Sequence, residues 1–264
     1  MSLYFTQMRL TKLVVIALCA LASVRGTDHT NDKDNQEIAV ELGNLAEVVN
    51  VDHAIKYPSS SVAFTPEEFD KIISTLPSIT SHRARHADKI LESKEQSEGR
   101  GARVRRSIGR QEIRNYDPFL MLDEFNVKLP ASFTDHPHRG METVTYLLHD
   151  SEGDMLHEDS VGNSGRISAG DVQWMTAGKG IIHAEVPSSK THATRGMQLW
   201  LNLPKSLKLS PPRYQDKKNA DLARGTNSCA WAEVIAGVGL GARSSIETMT
   251  PIHYVYYRLQ PNCV

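Results

Sequence analysis

From about Gly101 onward the apolar residues fall in short runs that Gly, Pro, Asp or Asn break every few positions. The runs include Val104 and Ile108, Phe119 to Leu122, Phe125 and Val127, then Val144, Tyr146 and Leu148, and later Val172, Trp174, Ile181 and Ile182. Short apolar runs at this spacing predict many short strands, hence an all-β sandwich or barrel. There is no alternation of strand and long helix to build a parallel sheet. No glycine-rich loop of the dinucleotide or phosphate-binding kind is present either, which removes nucleotide-dependent chemistry from the reading.

The chain has 264 residues, 40% hydrophobic and 23% charged, enough to bury a core. Its 30 basic residues against 31 acidic ones leave no cationic excess for direct nucleic-acid binding. At the amino terminus Arg9 and Lys12 precede an uncharged, nearly all-apolar stretch from Leu13 to Val24, with small residues near Gly26. That predicts a secretory signal peptide over residues 1–26, because a spanning helix needs about 20 apolar residues. The mature chain would have no membrane span. Secretion follows as the expected location, with nucleus and cytoplasm as the alternative.

Residues 27–87 read as a polar extension. Within it Thr65, Pro66, Glu67 and Glu68, followed by Phe69, Ile72, Ile73 and Leu76, predict one short helix that stops at Pro77. His82 and His86, four apart among arginines, have no further ligands beside them and read as solvated. Cys19 lies in the leader, while Cys229 and Cys263 either pair in an oxidising compartment or remain free thiols.

The chemistry concentrates in two segments of the β region. In Asp135-His136-Pro137-His138-Arg139-Gly140-Met141-Glu142, residues two apart share a face of an extended chain, so His136, His138 and Glu142 can look into one barrel. In the second segment, Gly170 to Glu185, a strand and a glycine turn lead to His183 and Glu185, again two apart. Three imidazoles with one or two carboxylates leave coordination positions for water or substrate, as in a reactive metal centre. His149 and His157 fall outside the pattern and read as surface or hairpin residues. Trp174, Met175 and Trp200 are either cavity lining or core, and Arg103, Arg105 and Arg106 read as a solvated strand face.

The paired motif His136-x-His138 with Glu142, then a glycine turn and His183, resembles the metal-binding motifs of the cupins, small β-barrels of the double-stranded β-helix or jelly-roll type. Longer strings narrow the likeness: GARVRRSIG from Gly101, DPFLMLDEF from Asp117, DHPHRG from Asp135, ETVTY from Glu142 and QLWLNLP from Gln198 look like the pirin family. The likeness is strong over about residues 88–216.

The resemblance implies a bicupin whose first barrel holds one iron, Fe2+ or Fe3+, per chain. The general cupin pattern makes Glu142 the carboxylate ligand, whereas pirins use the Glu two residues after the last histidine. The implied set is therefore His136, His138, His183 and Glu185, with Glu142 left as a supporting or core polar group. Two functions are implied. One is a quercetin 2,3-dioxygenase that cleaves a flavonol with O2, with Glu185 also acting as base. The other is an iron-dependent transcriptional coregulator that binds a transcription factor. Only residues 217–264 remain for a linker and the opening strands of a second barrel, which predicts an incomplete barrel with unpaired strand edges and little flavonol turnover.

Overall fold

The computed structural model describes residues 92–114 and 116–259, together with the backbone of 14–20. The predicted helix after Thr65, His82, His86 and most of the leader lie outside the described residues. The described residues fall into two units, one of residues 92–222 and one that contains 14–20 and 223–259.

The strands of the first unit are β2 (Lys94–Glu98), β3 (Ala102–Ile108), β4 (Phe119–Val127), β5 (Phe133–His138), β6 (Met141–Leu147), β7 (Met155–Asp159), β8 (Ser164–Ile167), β9 (Val172–Thr176), β10 (Ile181–Pro187), β11 (Thr194–Asn202) and β12 (Arg213–Lys217). They form a seven-stranded sheet in the order β12-β9-β6-β11-β4-β3-β2 and a four-stranded sheet in the order β5-β10-β7-β8. Every pairing in these two sheets is antiparallel. Neighbours distant in sequence, such as β6 beside β11 and β5 beside β10, give the interleaved winding of a jelly roll.

The core of this unit joins the two layers. Val104, Phe125, Val127 and Leu147 from the large sheet pack with Met155 and Ile167 from the small one. Burying side chains of this size stabilises by about 1.5–3 kcal/mol each. Gly178 (φ +52°) turns the chain between β9 and β10. A Cβ there would collide with the Ser210 carbonyl, so the turn requires glycine. That turn delivers β10 to the small sheet and with it His183 and Glu185.

The second unit corrects one expectation. Its strands are β1 (Val14–Ala20), β13 (Ala223–Thr226), β14 (Ala230–Ala236), β15 (Val238–Gly239), β16 (Ala242–Arg243) and β17 (Ile252–Leu259). The tail strands predicted to lack partners have them: the sheet order is β1-β17-β14-β13, all antiparallel. The partner on the far edge comes from the amino-terminal apolar run, with Val14 opposite Arg258 and Ala20 opposite Ile252. Ala232, Val234 and Val255 form its buried cluster. Cys229, just before β14, is disulfide-bonded. Among the described residues, no helix is long and apolar enough to cross a membrane.

Candidate metal centre

His136 and His138 lie on β5 and His183 on β10, strands paired so that His183 is directly opposite His136. One ligand nitrogen from each imidazole falls within 4.8 Å of the others. The ring centroids stand 4.6 to 5.0 Å apart. His136 donates from Nδ1 to the Thr134 carbonyl at 2.7 Å, which leaves its Nε2 lone pair facing His183 Nε2 at 3.1 Å. His138 Nε2 and His183 Nδ1 are buried without a hydrogen-bond partner. Burial, with the neighbouring imidazoles, holds His138 down at about 3 and His183 at about 4. Three converging imidazoles, two of them held neutral and each of those two with a buried nitrogen left without a partner, are the chemistry a divalent transition metal takes up.

Glu185 follows His183 on β10 and is buried. Its Oε1 accepts from the Thr145 hydroxyl at 2.8 Å and its Oε2 from the Gln198 amide at 3.0 Å. Burial pushes this carboxyl up, against the opposing pull of those bonds and of His136 and His157. Glu185 lines the same cavity as His136 and His138 but is not one of the three converging groups.

Glu142 does not share the face of the two β5 histidines. The chain reverses at Gly140 (φ +69°) and β6 begins at Met141, so the alternation restarts on a new strand. Glu142 Oε1 accepts from Thr176 at 2.7 Å, its strand partner on β9, and its other oxygen is buried without a partner. Thr145, three residues on and therefore on the other face of β6, is the residue that meets Glu185.

A cavity of about 310 Å³ opens beside the histidines. Val104, Met121, Phe125, Phe133, Met155 and Trp200 make its apolar wall. Trp200 meets His138 edge-on at 5.1 Å between ring centroids, which fixes that imidazole. Glu98, Asp123 and Gln198 stand on the polar side, with Asp135 near the mouth. Trp174 and Met175 are buried in the fold and do not line the cavity.

Three placements were not legible in the sequence. His157 is buried, not at the surface, because β7 alternates Met155 and His157 inward. Its Cα pairs with that of Glu185 and its Nε2 meets the Gln173 amide at 2.8 Å. Arg106 is not a solvated arginine: it holds Asp123 through two bonds, at 2.8 and 2.7 Å, and Glu98 through a third at 2.7 Å. Finally, strand register sets Gln173, Thr145, Gln198, Asp123 and Arg106 directly opposite one another across β9, β6, β11, β4 and β3. Residues opposite one another share a face. A polar row therefore crosses the large sheet beneath Glu185, a feature visible only once strand order and register are known.

Residues 101–201 match the family model described as Pirin. Pirin of Homo sapiens is 51% identical over 169 residues, covering 64% of this chain and 57% of that protein. A pirin-like protein of Solanum lycopersicum is 46% identical over 187 residues, covering 71% of this chain and 62% of its own length. A solved protein of Geobacillus kaustophilus superposes with TM-score 0.56 at 33% identity, over 64% of this chain and 66% of that one. A quercetin 2,3-dioxygenase of Acinetobacter baumannii does so with TM-score 0.56 at 27% identity, over 62% and 55%. The chain thus spans about 60% of the length of the two curated relatives. With its all-β cupin fold, its three converging histidines and its half-identity to curated pirins, the region built around residues 101–201 is a pirin-family cupin.

Proposed function

We propose that the chain is a pirin-type metal-binding cupin that holds one iron through His136, His138, His183 and Glu185 and acts as a flavonol dioxygenase. The observation that carries the reading is the convergence of three imidazoles, within 4.8 Å of one another, beside a cavity that also exposes a buried carboxylate. Iron bound there would supply a Lewis acid and an electron route to O2.

The remaining work falls to the chain's own groups. Glu185 accepts the proton of the ligand hydroxyl at a carboxylate oxygen, a role favoured by the burial that raises its proton affinity. Thr145 and Gln198 each bond one oxygen of that carboxylate and keep it aimed. The apolar wall from Val104 to Trp200 excludes water around an aromatic ligand. A relative in fold carries the name quercetin 2,3-dioxygenase, which favours this substrate class.

The test is simultaneous measurement of quercetin loss and O2 uptake by the iron-loaded chain. Matched consumption that disappears in His183→Ala supports the reading. Quercetin loss and O2 uptake no greater than in protein-free controls contradict it.

A further inference from the structure

Among the described residues, four carboxylates line the cavity, those of Glu98, Asp123, Asp135 and Glu185, and no lysine or arginine lines it. Arg106, which is not among the lining residues, gives its guanidinium to Asp123 and Glu98. Arg106 therefore orients these two acids and takes no place in the lining. A carboxylate or phosphate set against the Glu98 and Asp123 wall, away from the histidines, would meet like charge with no lysine or arginine of the lining to pair it, and burying an unpaired anion is costly. A hydroxyl entering it would find acceptors, because a carboxylate keeps lone pairs beyond those given to Arg106.

We infer that Glu98 and Asp123 are the specificity-determining residues of the cavity: they select aromatic ligands that set hydroxyl donors along this wall and reject those that set a carboxylate there. The inference rests on the proposed function and adds to it how the ligand is read. The ligand lies with its ring against Phe125, Phe133 and Trp200, its metal-directed end toward His136 and His138, and its hydroxyl edge along Asp123 and Glu98. The polar row gives the reason Asp123 is held there. Gln198 is its direct strand neighbour and bonds Glu185, so one row of side chains orients both the proposed base and the acid that reads the hydroxyl edge. An O–H to a carboxylate is a charge-assisted bond, roughly twice as strong as a neutral one. An analogue lacking the donor forfeits that bond and binds more weakly, although Arg106 still pairs the acids.

The experiment is calorimetric titration of the full chain, iron-loaded and kept anaerobic. The first pair of probes is quercetin and its 3′,4′-dimethyl ether, which lacks the two donors on one edge. Methylation should weaken binding to the wild type at least about tenfold, and by less than about threefold in Glu98→Gln and Asp123→Asn. Glu98 is partly exposed, so its variant keeps the fold and reports even where Asp123→Asn does not. An equal loss on methylation in wild type and variants overturns the inference. The second pair, titrated into the metal-free chain so that no iron pairs the anion, is catechol and 3,4-dihydroxybenzoate, which differ by one carboxylate. If quercetin gives no heat, the flavonol reading fails by itself, and this pair still tests the wall. Preference for catechol of about tenfold or more supports it, whereas equal binding, or none by either probe, overturns it.

Discussion

Replacing Arg106 by Met tests the wall from its support. The Arg106 side chain is 16% exposed and that of Asp123 3%, so the pair is largely removed from water. The two parallel bonds to Asp123 and the third to Glu98 disappear together, while the methionine stem keeps most of the packing volume. What remains is a buried aspartate with no cation, and removing one partner of such a pair costs about 3–5 kcal/mol. Because Arg106 is itself only partly sequestered, we take the low end, about 3 kcal/mol, equivalent to a melting shift of about 5 °C for a chain of this size.

The penalty should depend on pH in a stated direction. Burial already pushes Asp123 up against the pull of Arg106, and without the arginine that push is unopposed. A carboxyl whose folded value lies above its unfolded one stabilises fully below the unfolded value, about 3.9, and loses that contribution as pH rises through the folded value. The variant should therefore be most impaired near pH 8 and approach the wild type as the pH falls toward 5. Melting curves of both chains across that range read the effect. A deficit under about 1 kcal/mol at pH 8, or one that does not change with pH, refutes the reasoning.

Three further outcomes follow from the site. His138 and His183 are held well below an ordinary imidazole, so the metal-free protein binds fewer protons there than the unfolded chain; its stability should fall as pH drops from about 6.5 through 4, and a flat urea midpoint over that range contradicts this. Gln198→Leu removes one of the two bonds that aim Glu185 and should weaken metal affinity about 10–100-fold in chelator competition, with the metal-free melting temperature little changed. Gly178→Ala forces a Cβ against the Ser210 carbonyl at positive φ and should destabilise by at least about 2 kcal/mol in urea unfolding while lowering metal content.

Much of the site was legible because period-two alternation fixes which neighbours on one strand share a face. His136 with His138, and His183 with Glu185, follow from it. Glu142 shows where the rule stops: it counts through a strand but not through the reversal at Gly140, where the phase restarts. Arg106, Asp123, Gln198 and Thr145 were illegible for a different reason. They lie far apart in sequence and meet through the register of β3, β4, β11 and β6, which a single sequence does not state. The run from Leu13 to Val24 suits two readings at once. Apolar, β-branched and short, it meets the requirements of a leader core and of the strand β1 that pairs with β17, and composition does not separate them.

Metal content of the purified full chain tests the central claim most directly. After anaerobic loading with iron and removal of excess, elemental analysis should find about one iron per chain in the wild type and in Glu142→Gln, with a large loss in His183→Ala and in Glu185→Gln. Iron below about a tenth of an equivalent in the wild type would contradict the metal centre, and full iron in Glu185→Gln with loss in Glu142→Gln would overturn the assignment of its carboxylate.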